Sequence, residues 1–560
     1  MIRKLIKSID KKEWRFIIIL SIVVILLTTL PYLYGWYQTP EGHTYTGLHS
    51  LTPGDIHVYF SFMDQAREGN FISKDLYTGE PQARVLLNSF WSIEGLIGRV
   101  TGLSNILVFQ LSRILLIPIF IFTLYLFSCL FFNKKVWRKI SIIFLTFASG
   151  LGVTITIFLP DSVYAKGWYN WPLDLWAPES NNLLTMFQSP HLIASTILII
   201  FIMFLMFLAY EHNKLKYSVS AGVLALILFQ FHPFHTPTIF AVLSTYILVK
   251  VIQDIKKYKD KSDIWFNYVK HSLVLAVVSF PSIFYWLLLQ QFDFVTQLRV
   301  YQNVCLTPSL WVTAVSYGFV LLLAIYASYR IIRHYRSDNK HIFLVVWFVI
   351  HFLMLYSPFL FQRRIMQGLQ VPMTILCVYG VYFLYEYLKK KLPKDKFEFF
   401  ISNKHLAIIV FILLFTSAGI YNWIREIAVF TEVYPQLYVP DDKIAGYKWL
   451  KNNTNEDDVI LTDLYNGNLI PGRIMRKVYV GHGVETLFFD NKFMRMVWFF
   501  SFDEADDKKE KFLRDNNIDY IFYSGNEKGI GDYNPAEKNY LEPVFHFGDT
   551  DIYKVNEENE

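Results

Sequence analysis

The hydrophobic residues of this chain fall into long runs that are separated by short polar segments. Apolar runs of about 18 or more residues with few charges are typical of membrane-spanning helices. The pattern predicts eleven spans, at about residues 16–34, 106–132, 140–160, 192–210, 219–231, 238–248, 272–289, 310–329, 342–361, 371–388 and 406–420. We therefore expect a mainly α-helical, polytopic membrane protein.

The apolar tract 219–248 predicts two short spans rather than one long helix. Pro233 and Pro237 interrupt it in the sequence FHPFHTP, and proline breaks the interior of a helix. Lysines flank both ends of the tract, so the positive-inside rule favours a chain that crosses out and returns. Residues 232–236 are then expected at an outer tip, between two short spans or within a re-entrant pair.

The distribution of basic residues predicts the orientation in the membrane. With eleven spans, the loops assigned to the inside hold about 28 Lys and Arg, and those assigned to the outside hold about 8. An odd number of spans places the N-terminus in the cytoplasm and the C-terminal part outside the cell membrane. Residues 1–424 are thus predicted to form the transmembrane domain, with residues 35–105 as its first outer loop.

Residues 425–560 are predicted to form a small extracytoplasmic α/β domain. This segment contains 16 Lys and Arg against 26 Asp and Glu, and it has no long apolar run. Short apolar strands alternate in it with amphipathic helical patterns. The predicted elements are helices 442–453 and 504–516, strands 459–462, 478–480 and 520–523, and a closing hairpin 544–555.

Composition narrows the class of protein further. With 53% hydrophobic residues, the chain is too apolar for an ordinary soluble enzyme. Its net charge of +6 comes from the transmembrane part, where basic cytoplasmic loops are expected, so we predict no nucleic-acid partner. The three cysteines lie in or near apolar segments without the spacing of metal ligands, so no disulfide framework or zinc site is predicted.

The first outer loop is predicted to contain two helices. Residues 54–70, with the sequence GDIHVYFSFMDQAREGN, place a carboxylate, an imidazole and a phenol in one helical run. Residues 83–100 mix apolar and charged positions in the manner of an interfacial helix. The second outer loop, residues 161–190, is rich in Trp and Tyr, as expected at a membrane surface.

The polar residues most suited to chemistry fall on the predicted outer side. They are Asp55, His57, Tyr59, Gln188, His191, His232, His235, Arg363 and Arg364. A carboxylate can accept the proton of an attacking hydroxyl, and guanidinium groups bind phosphate through paired hydrogen bonds. This convergence favours a reaction between a phosphate-bearing lipid and a polar acceptor.

These residues also have structural interpretations. An outer carboxylate such as Asp55 is most often a solvated charge. His232 and His235 are equally expected as caps for helix ends that the prolines leave open. Arg363 and Arg364 are equally expected to reach for lipid headgroups.

Other polar residues are expected to have no part in the chemistry. Asp64, Arg67 and Glu68 are predicted to form the solvated end of the helix that carries Asp55. His482, in the sequence VGHGVET, is predicted to be a loop residue.

The chain resembles the GT-C superfamily of polytopic glycosyltransferases, which take sugars from polyprenyl-phosphate carriers. The resemblance rests on an outer-loop carboxylate, an interfacial helix after a proline, an arginine early in the second span, an outer arginine pair and an acidic α/β tail. These features are GDIHVY at 54–59, the helix after Pro81 with Gly95 and Gly98, Arg113, QRRI at 362–365 before Val371 and Pro372, and AGYKWLKNN, IDYIFYS and DIYKV in the tail.

By this resemblance the protein is identified as a bacterial member of the superfamily that uses a polyprenyl-phosphate sugar donor. The resemblance implies Asp55 as the catalytic carboxylate and Arg363 or Arg364 as the contact to the lipid phosphate. It implies an inverting hexosyl- or pentosyltransferase, surrounded by membrane lipids, whose acceptor is a glycan, a lipid or a protein.

Two departures limit what the resemblance implies. The tail has no WWDYG-like signature, so an oligosaccharyltransferase is not expected. Some relatives bind a divalent cation, so the resemblance leaves Mg or Mn open as a cofactor, but this sequence offers no clear ligand set beyond Asp55 with His57 and no metal ligands are assigned.

Two other functions stay open at the level of the sequence. A transporter or lipid flippase would use the broken tract at 219–248, although Arg113 is the main charge inside a predicted span and transport pathways usually need several. A non-catalytic scaffold for envelope assembly would use the acidic tail to bind its partners.

Overall fold

The computed structural model describes residues 1–161, 170–258, 262–334, 338–501 and 506–556. Trp168 and Tyr169 of the predicted second outer loop, and the start of the predicted helix 504–516, lie outside these residues. The chain divides into two compact units. The first unit is Met1–Leu30, Gln110–Trp286 and Val304–Arg425, and the second unit is Pro31–Phe109, Leu287–Asn303 and Glu426–Glu560.

Long apolar helices dominate the part of the chain that the structure describes. Seven are long and apolar enough to cross a membrane, namely Lys11–Tyr37, Asn105–Phe131, Pro190–His212, His235–Gln253, Trp265–Phe292, Leu310–His334 and Gln370–Lys391. The number rises to nine if two bent pairs each count as one span, Lys135–Phe147 with Gly152–Phe158 and His405–Phe415 with Ser417–Val429. The polytopic, mainly α-helical architecture is therefore confirmed.

The predicted count of eleven spans includes two short helices. Leu215–Phe231 has 17 residues and Asn339–Met354 has 16, whereas an untilted helix needs about 20 residues to cross the hydrocarbon core. Each predicted apolar segment thus coincides with a helix or a bent pair, but length alone supports seven to nine spans.

The predicted break in the tract 219–248 is confirmed. One helix ends at Phe231 and the next begins at His235. The residue before a proline is driven out of the helical region, and His232 accordingly has φ −137° and ψ 68°. Its backbone N–H still donates to the Leu228 carbonyl at 2.7 Å, so the first helix ends with its last hydrogen bond satisfied.

The second unit contains a five-stranded sheet. Its strands, in spatial order, are Lys477–Val478, Val459–Leu461, Tyr520–Tyr523, Thr550–Val555 and Leu541–Phe547. The first three are parallel and the last two form an antiparallel hairpin, so the predicted strands and closing hairpin are confirmed. A separate two-stranded sheet pairs His43–Tyr45 with Tyr438–Pro440, a pairing that the sequence does not indicate.

The described residues contain further helices outside the predicted spans. These are Ile2–Lys7, Pro53–Arg67, Ser89–Thr101, Asn182–Gln188, Phe294–Gln302, Lys394–Ser402, Asp441–Asn453, Leu464–Ile474, Phe489–Ser501, Asp506–Asp515 and Gly525–Lys528, with short 3-10 turns at Leu173–Leu175, Gln362–Met366 and Pro535–Glu537. Sequence analysis misses Leu464–Ile474 because its sequence, LYNGNLIPGRI, is rich in residues that disfavour helices.

The two helices predicted in the first outer loop are both present and pack together. The second begins at Ser89, where the Asn88 side chain accepts hydrogen bonds from the first turn, and it ends at Thr101. Gly95 permits the close approach, since a Cβ there would lie 2.2 Å from the carbonyl oxygen of Met63 in the first helix. The opposite face of the second helix exposes apolar side chains, as expected for an interfacial helix: Ile93, Ile97 and Val100.

Candidate active site

Asp55 lies in the first turn of the Pro53–Arg67 helix. Pro53 suits the first helical position because the amide that it lacks would have no partner there. A carboxylate in the first turn is favoured by the helix dipole. The Asp55 side chain is 48% exposed, and its Oδ1 accepts a hydrogen bond from His482 Nε2 at 3.0 Å. The carboxylate is therefore both held by a partner and accessible to solvent.

The loop that carries His482 is fixed by hydrogen bonds within the second unit. The Gly481 amide donates to Thr486 Oγ1 at 3.0 Å, and Thr486 Oγ1 donates to the Tyr77 carbonyl at 2.9 Å. The Tyr77 ring also meets the His482 ring edge-on, with centroids 6.0 Å apart. These contacts limit the movement of the imidazole relative to the helix that carries Asp55.

Backbone amides favour one tautomer of the neutral His482 ring. Val484 N–H and Glu485 N–H point at Nδ1 from 3.3 and 3.4 Å, so Nδ1 acts as an acceptor when the ring is neutral. The ring proton of the neutral imidazole is then on Nε2, where it is donated to Asp55.

Further charged side chains affect the protonation of His482. Burial alone would lower the pKa of His482, but the hydrogen bond and charge of Asp55, with added contributions from Glu485 and Asp75, raise it. Arg299 forms ion pairs with both of these additional carboxylates, at 2.5 Å from Glu485 and 3.6 Å from Asp75. Burial, together with the charge of Glu485, raises the pKa of Asp75.

Replacing His482 by glutamine is expected to destabilise the protein more at pH 6 than at pH 9. Because the folded-state pKa of His482 is raised, its pairing with Asp55 stabilises fully below the unfolded value of 6.5 and is lost as the pH rises through the folded value. The melting temperatures of wild type and His482→Gln, measured across this range, test the prediction. A difference that grows towards pH 9 would contradict it.

A polar cavity of about 310 Å³ lies beside the Asp55–His482 pair within the second unit, and we call it the Asp463 cavity. Gly54 and His482 form part of its wall. Its other polar lining residues are His57, Gln436, Asp463, Tyr465 and Asn468. Burial, with the charge of Glu527, raises the pKa of Asp463. Such a mixture of amide, hydroxyl and carboxyl groups suits a ligand rich in hydroxyl groups.

His57 is buried between two helices instead of facing solvent. Its side chain is 2% exposed, and neither ring nitrogen has a hydrogen-bond partner among the described residues. Burial and the nearby charge of Arg473 lower its pKa to about 3, so the ring is neutral. The imidazole lines the Asp463 cavity and also a second cavity on the same unit.

Gly472 lets the Leu464–Ile474 helix contact the backbone at His57. A Cβ at this position would lie 2.3 Å from the His57 carbonyl oxygen, so Gly472→Ala is expected to separate the helices and cost about 1–3 kcal/mol of stability. Thermal unfolding of the purified protein measures this cost. Gly79→Ala is the control, because its Cβ would meet Val459 at an ordinary 3.4 Å. Equal melting temperatures for the two variants would contradict the prediction.

Tyr59 packs against the second helix of the first outer loop. Its ring stacks on Trp91 of the Ser89–Thr101 helix, with centroids 4.5 Å apart and 13° between the planes. It therefore joins the two helices of the first outer loop.

The prediction that the helix end is solvated is wrong for two of its three residues. The side chains of Asp64 and Arg67 are only 20% and 25% exposed, whereas Glu68 is exposed. Arg67 donates to Asn105 Oδ1 at 3.1 Å and to the Leu103 carbonyl, and burial raises the pKa of Asp64 to about 6. Packing of the helix against the following segment of the loop buries these charges.

The first unit brings the predicted histidines together. Ser189 Oγ and His191 Nδ1 are joined by a 2.6 Å hydrogen bond, and the His191 ring meets the His232 ring with centroids 5.0 Å apart. His232 Nδ1 lies 3.4 Å from His235 Nε2, which in turn lies 3.3 Å from Gln367 Oε1. The three imidazoles thus form one buried cluster at the break in the tract.

The arginine pair lies beside this cluster in the Gln362–Met366 turn. The guanidinium of Arg363 lies over the Trp176 ring, 4.4 Å from its centroid. The guanidinium of Arg364 lies 4.9 Å from the centroid of the Phe234 ring, and Phe234 is located between His232 and His235 in the sequence. Gln188 Nε2 donates to the Trp176 carbonyl at 3.0 Å. Stacking on aromatic rings orients both guanidinium planes.

The predicted site residues therefore fall into two groups. Asp55 and His57 belong to the second unit, and Gln188, the three histidines and the two arginines belong to the first. Sequence analysis missed His482 as the partner of Asp55, because 427 residues separate them. A histidine between two glycines was the one local signal available.

The residues around Asp55 do not make up a divalent-cation site. Asp55 and His482 supply two donors, and the described part of the chain contains no group of three or more His, Cys, Asp or Glu side chains arranged to hold a metal ion. We derive no step through a metal.

The sequence matches no protein-family model and no curated protein. Its fold, however, is similar to that of two solved transferases, an archaeal oligosaccharyltransferase and a mycobacterial arabinofuranosyltransferase. The oligosaccharyltransferase of Archaeoglobus fulgidus, tethered with an acceptor peptide containing the NVT sequon, aligns with a TM-score of 0.54 at 12% identity, over 92% of this chain and 69% of that chain.

Further structures extend this likeness. The same archaeal enzyme aligns in its complex with Zn and sulfate (TM-score 0.51, 12% identity, 89% of this chain and 68% of that chain). It also aligns in complex with an inhibitory peptide and a dolichol-phosphate (0.50, 14%, 92% and 70%). The mycobacterial arabinofuranosyltransferase AftD aligns with a TM-score of 0.52 at 13% identity, over 98% of this chain but only 40% of AftD. At these identities the likeness establishes the fold.

Proposed function

We propose that this protein is a membrane glycosyltransferase that transfers a sugar from a polyprenyl-phosphate donor to a glycan, lipid or protein acceptor. The GT-C fold supports membrane glycosyl transfer as the general role. The observation that carries the proposal is the half-exposed carboxylate of Asp55, held by His482 beside a polar cavity.

Asp55 acts as the general base in this reaction. The His482 Nε2–H bond orients the carboxylate, which accepts the proton of the acceptor hydroxyl. The acceptor oxygen then attacks the anomeric carbon from the side opposite the phosphate, the bond to the phosphate breaks, and the configuration inverts. The Asp463 cavity binds the hydroxyl-rich part of the acceptor.

Arg363 and Arg364 bind the lipid phosphate and stabilise the charge that it gains as it leaves. Stacking on Trp176 and Phe234 holds the guanidinium planes ready for paired hydrogen bonds to phosphate oxygens. A lipid-phosphate donor is also consistent with the dolichol-phosphate complex of the archaeal neighbour. The transferred sugar is a hexose or a pentose.

The reaction takes place at the outer face of the cell membrane. The excess of Lys and Arg in alternate loops supports a cytoplasmic N-terminus and an extracytoplasmic C-terminal domain. With this orientation, membrane lipids and a lipid-linked donor are accessible to the protein at the outer face of the membrane.

The test is transfer by the purified, reconstituted protein. Proteoliposomes receive radiolabelled polyprenyl-phosphate hexoses and pentoses with an envelope extract as the acceptor source, and labelled products are identified by mass spectrometry. Transfer that depends on the protein supports the proposal. Uptake or flipping of the donor without transfer would instead identify a transporter, and neither activity would favour a scaffold.

A further inference from the structure

A second cavity in the second unit has features that the proposed reaction does not use. It measures about 210 Å³ and lies where the Pro53–Arg67 and Leu464–Ile474 helices meet, and we call it the Arg473 cavity. Its polar lining includes Thr46, His57, Asp64, Arg67 and Arg473.

Four of these side chains have buried polar atoms without a hydrogen-bond partner among the described residues; in Arg67 the atom is Nε, which lies 4.0 Å from Asp64 Oδ1. Thr46 is 1% exposed and His57 is 2% exposed, yet the Thr46 hydroxyl and both His57 nitrogens have no partner among the described residues. Arg473 has a buried Nε without a partner, and its guanidinium makes no hydrogen bond or ion pair within the described ranges. Leaving such groups unsatisfied is costly, so a ligand that accepts hydrogen bonds is expected.

The charges in the cavity favour an anion. Arg67 and Arg473 contribute two positive charges, and Asp64 is the one carboxyl in the lining. Arg67 is already engaged by Asp64 at 4.0 Å and by Asn105, and Arg473 forms no ion pair within the described residues. A neutral His57 and the Thr46 hydroxyl add one N–H and one O–H donor.

Arg476, in the same unit, provides a comparison because its guanidinium has a full set of hydrogen-bond acceptors. Arg476 lies three residues further on and donates to the carbonyls of Lys451 and Thr454, each at 2.7 Å, and to Thr454 Oγ1 at 2.8 Å. Arg473 has no such set of acceptors. Its guanidinium is therefore available to an external ligand.

We propose that the Arg473 cavity binds a phosphate or phosphodiester group through Arg473, His57 and Thr46, and that this group belongs to the acceptor. Three donors of this kind match the oxygen-rich surface of a phosphate. His57 lines both cavities, so an acceptor with its hydroxyl at Asp55 can extend its phosphate towards Arg473. The assignment to the acceptor rests on the proposed function, whereas phosphate binding itself does not.

Binding is measured on the full-length protein in detergent, without any transfer assay. Inorganic phosphate and glycerol 1-phosphate are titrated at constant ionic strength, with chloride as the reference, and the melting temperature and the heat of binding are recorded. We expect both phosphates to stabilise wild type, and we expect Arg473→Gln to weaken binding at least tenfold. No stabilisation beyond that of chloride would overturn the site.

Further variants separate loss of binding from loss of folding. Thr46→Val keeps the shape of the side chain and removes only the hydroxyl, so binding should fall about three- to tenfold with little change in melting temperature. Arg514→Gln removes a partly exposed arginine that pairs with Glu510, remote from the cavity lining, and serves as the control. Binding by Arg473→Gln and Thr46→Val equal to that of the control would refute the assignment.

Two comparisons separate this inference from the proposed function. Asp55→Asn should reduce transfer at least a hundredfold yet keep phosphate binding, so each property can be lost without the other. In the transfer assay, Arg473→Gln should raise KM for a phosphate-bearing acceptor at least tenfold and leave KM for the donor unchanged. A raised KM for the polyprenyl-phosphate donor instead would overturn the assignment to the acceptor.

Discussion

Replacing Asp55 by asparagine is expected to reduce sugar transfer by between about a hundredfold and ten-thousandfold, the range over which a general base contributes. The amide keeps the shape of the side chain, and its oxygen can still accept the His482 Nε2 hydrogen bond. What is lost is the capacity to take the acceptor proton. The loss should appear in kcat rather than in the KM of the donor.

Initial rates of transfer by reconstituted Asp55→Asn and wild type measure this effect. Glu68→Gln is the matched control, since it removes a carboxylate from the exposed end of the same polypeptide segment and should change the rate less than twofold. The melting temperature of each variant shows whether the fold is retained. A folded Asp55→Asn protein with the rate of wild type would refute Asp55 as the base.

Replacing both Arg363 and Arg364 by glutamine is expected to reduce kcat/KM by about 100- to 1000-fold, as removal of a donor to developing negative charge does in other enzymes. Glutamine retains a hydrogen-bond donor but lacks the charge and the planar fork. Single lysine variants should keep part of the activity because they keep the charge. The arginines should contact the phosphate in the bound donor and bind it more strongly as it gains negative charge in the transition state. We therefore expect both kcat and the affinity for the donor to fall in the double variant.

Kinetics at varied donor concentration test this prediction. Arg333→Gln is the control, since Arg333 also belongs to the first unit and its guanidinium donates to the Tyr329 hydroxyl at 2.7 Å. Its kcat/KM should stay within twofold of wild type. Equal losses in Arg333→Gln and the double variant would show a general effect on the membrane protein instead of a phosphate contact.

Much of the local structure follows from the sequence because its causes are local. The apolar runs, the break at Pro233, the helix that carries Asp55 and the strands 459–461 and 520–523 all depend on residues close in the chain. The Leu464–Ile474 helix escapes such reasoning, because its asparagines, glycines and proline argue against a helix until neighbouring elements stabilise it.

The sequence indicates some residues of the candidate site but not their partners. The predicted outer-side location and an unusual concentration of polar residues single out Asp55, the histidines and the arginine pair. No local pattern indicates that His482 pairs with Asp55, that Asp64 is largely buried, or that Arg473 has no ion-pair partner in the described part of the chain. These properties depend on which distant segments come together.

By itself, then, the sequence determined that this is a polytopic helical membrane protein with a small α/β tail, because bilayer thickness and residue periodicity act on consecutive residues. Only the tertiary structure decided the surroundings of the carboxylate in the first outer loop. Burial and hydrogen bonding are properties of neighbours in space, and the Pro53–Arg67 helix acquires its neighbours, His482 and the Leu464–Ile474 helix, from more than 400 residues further along the chain.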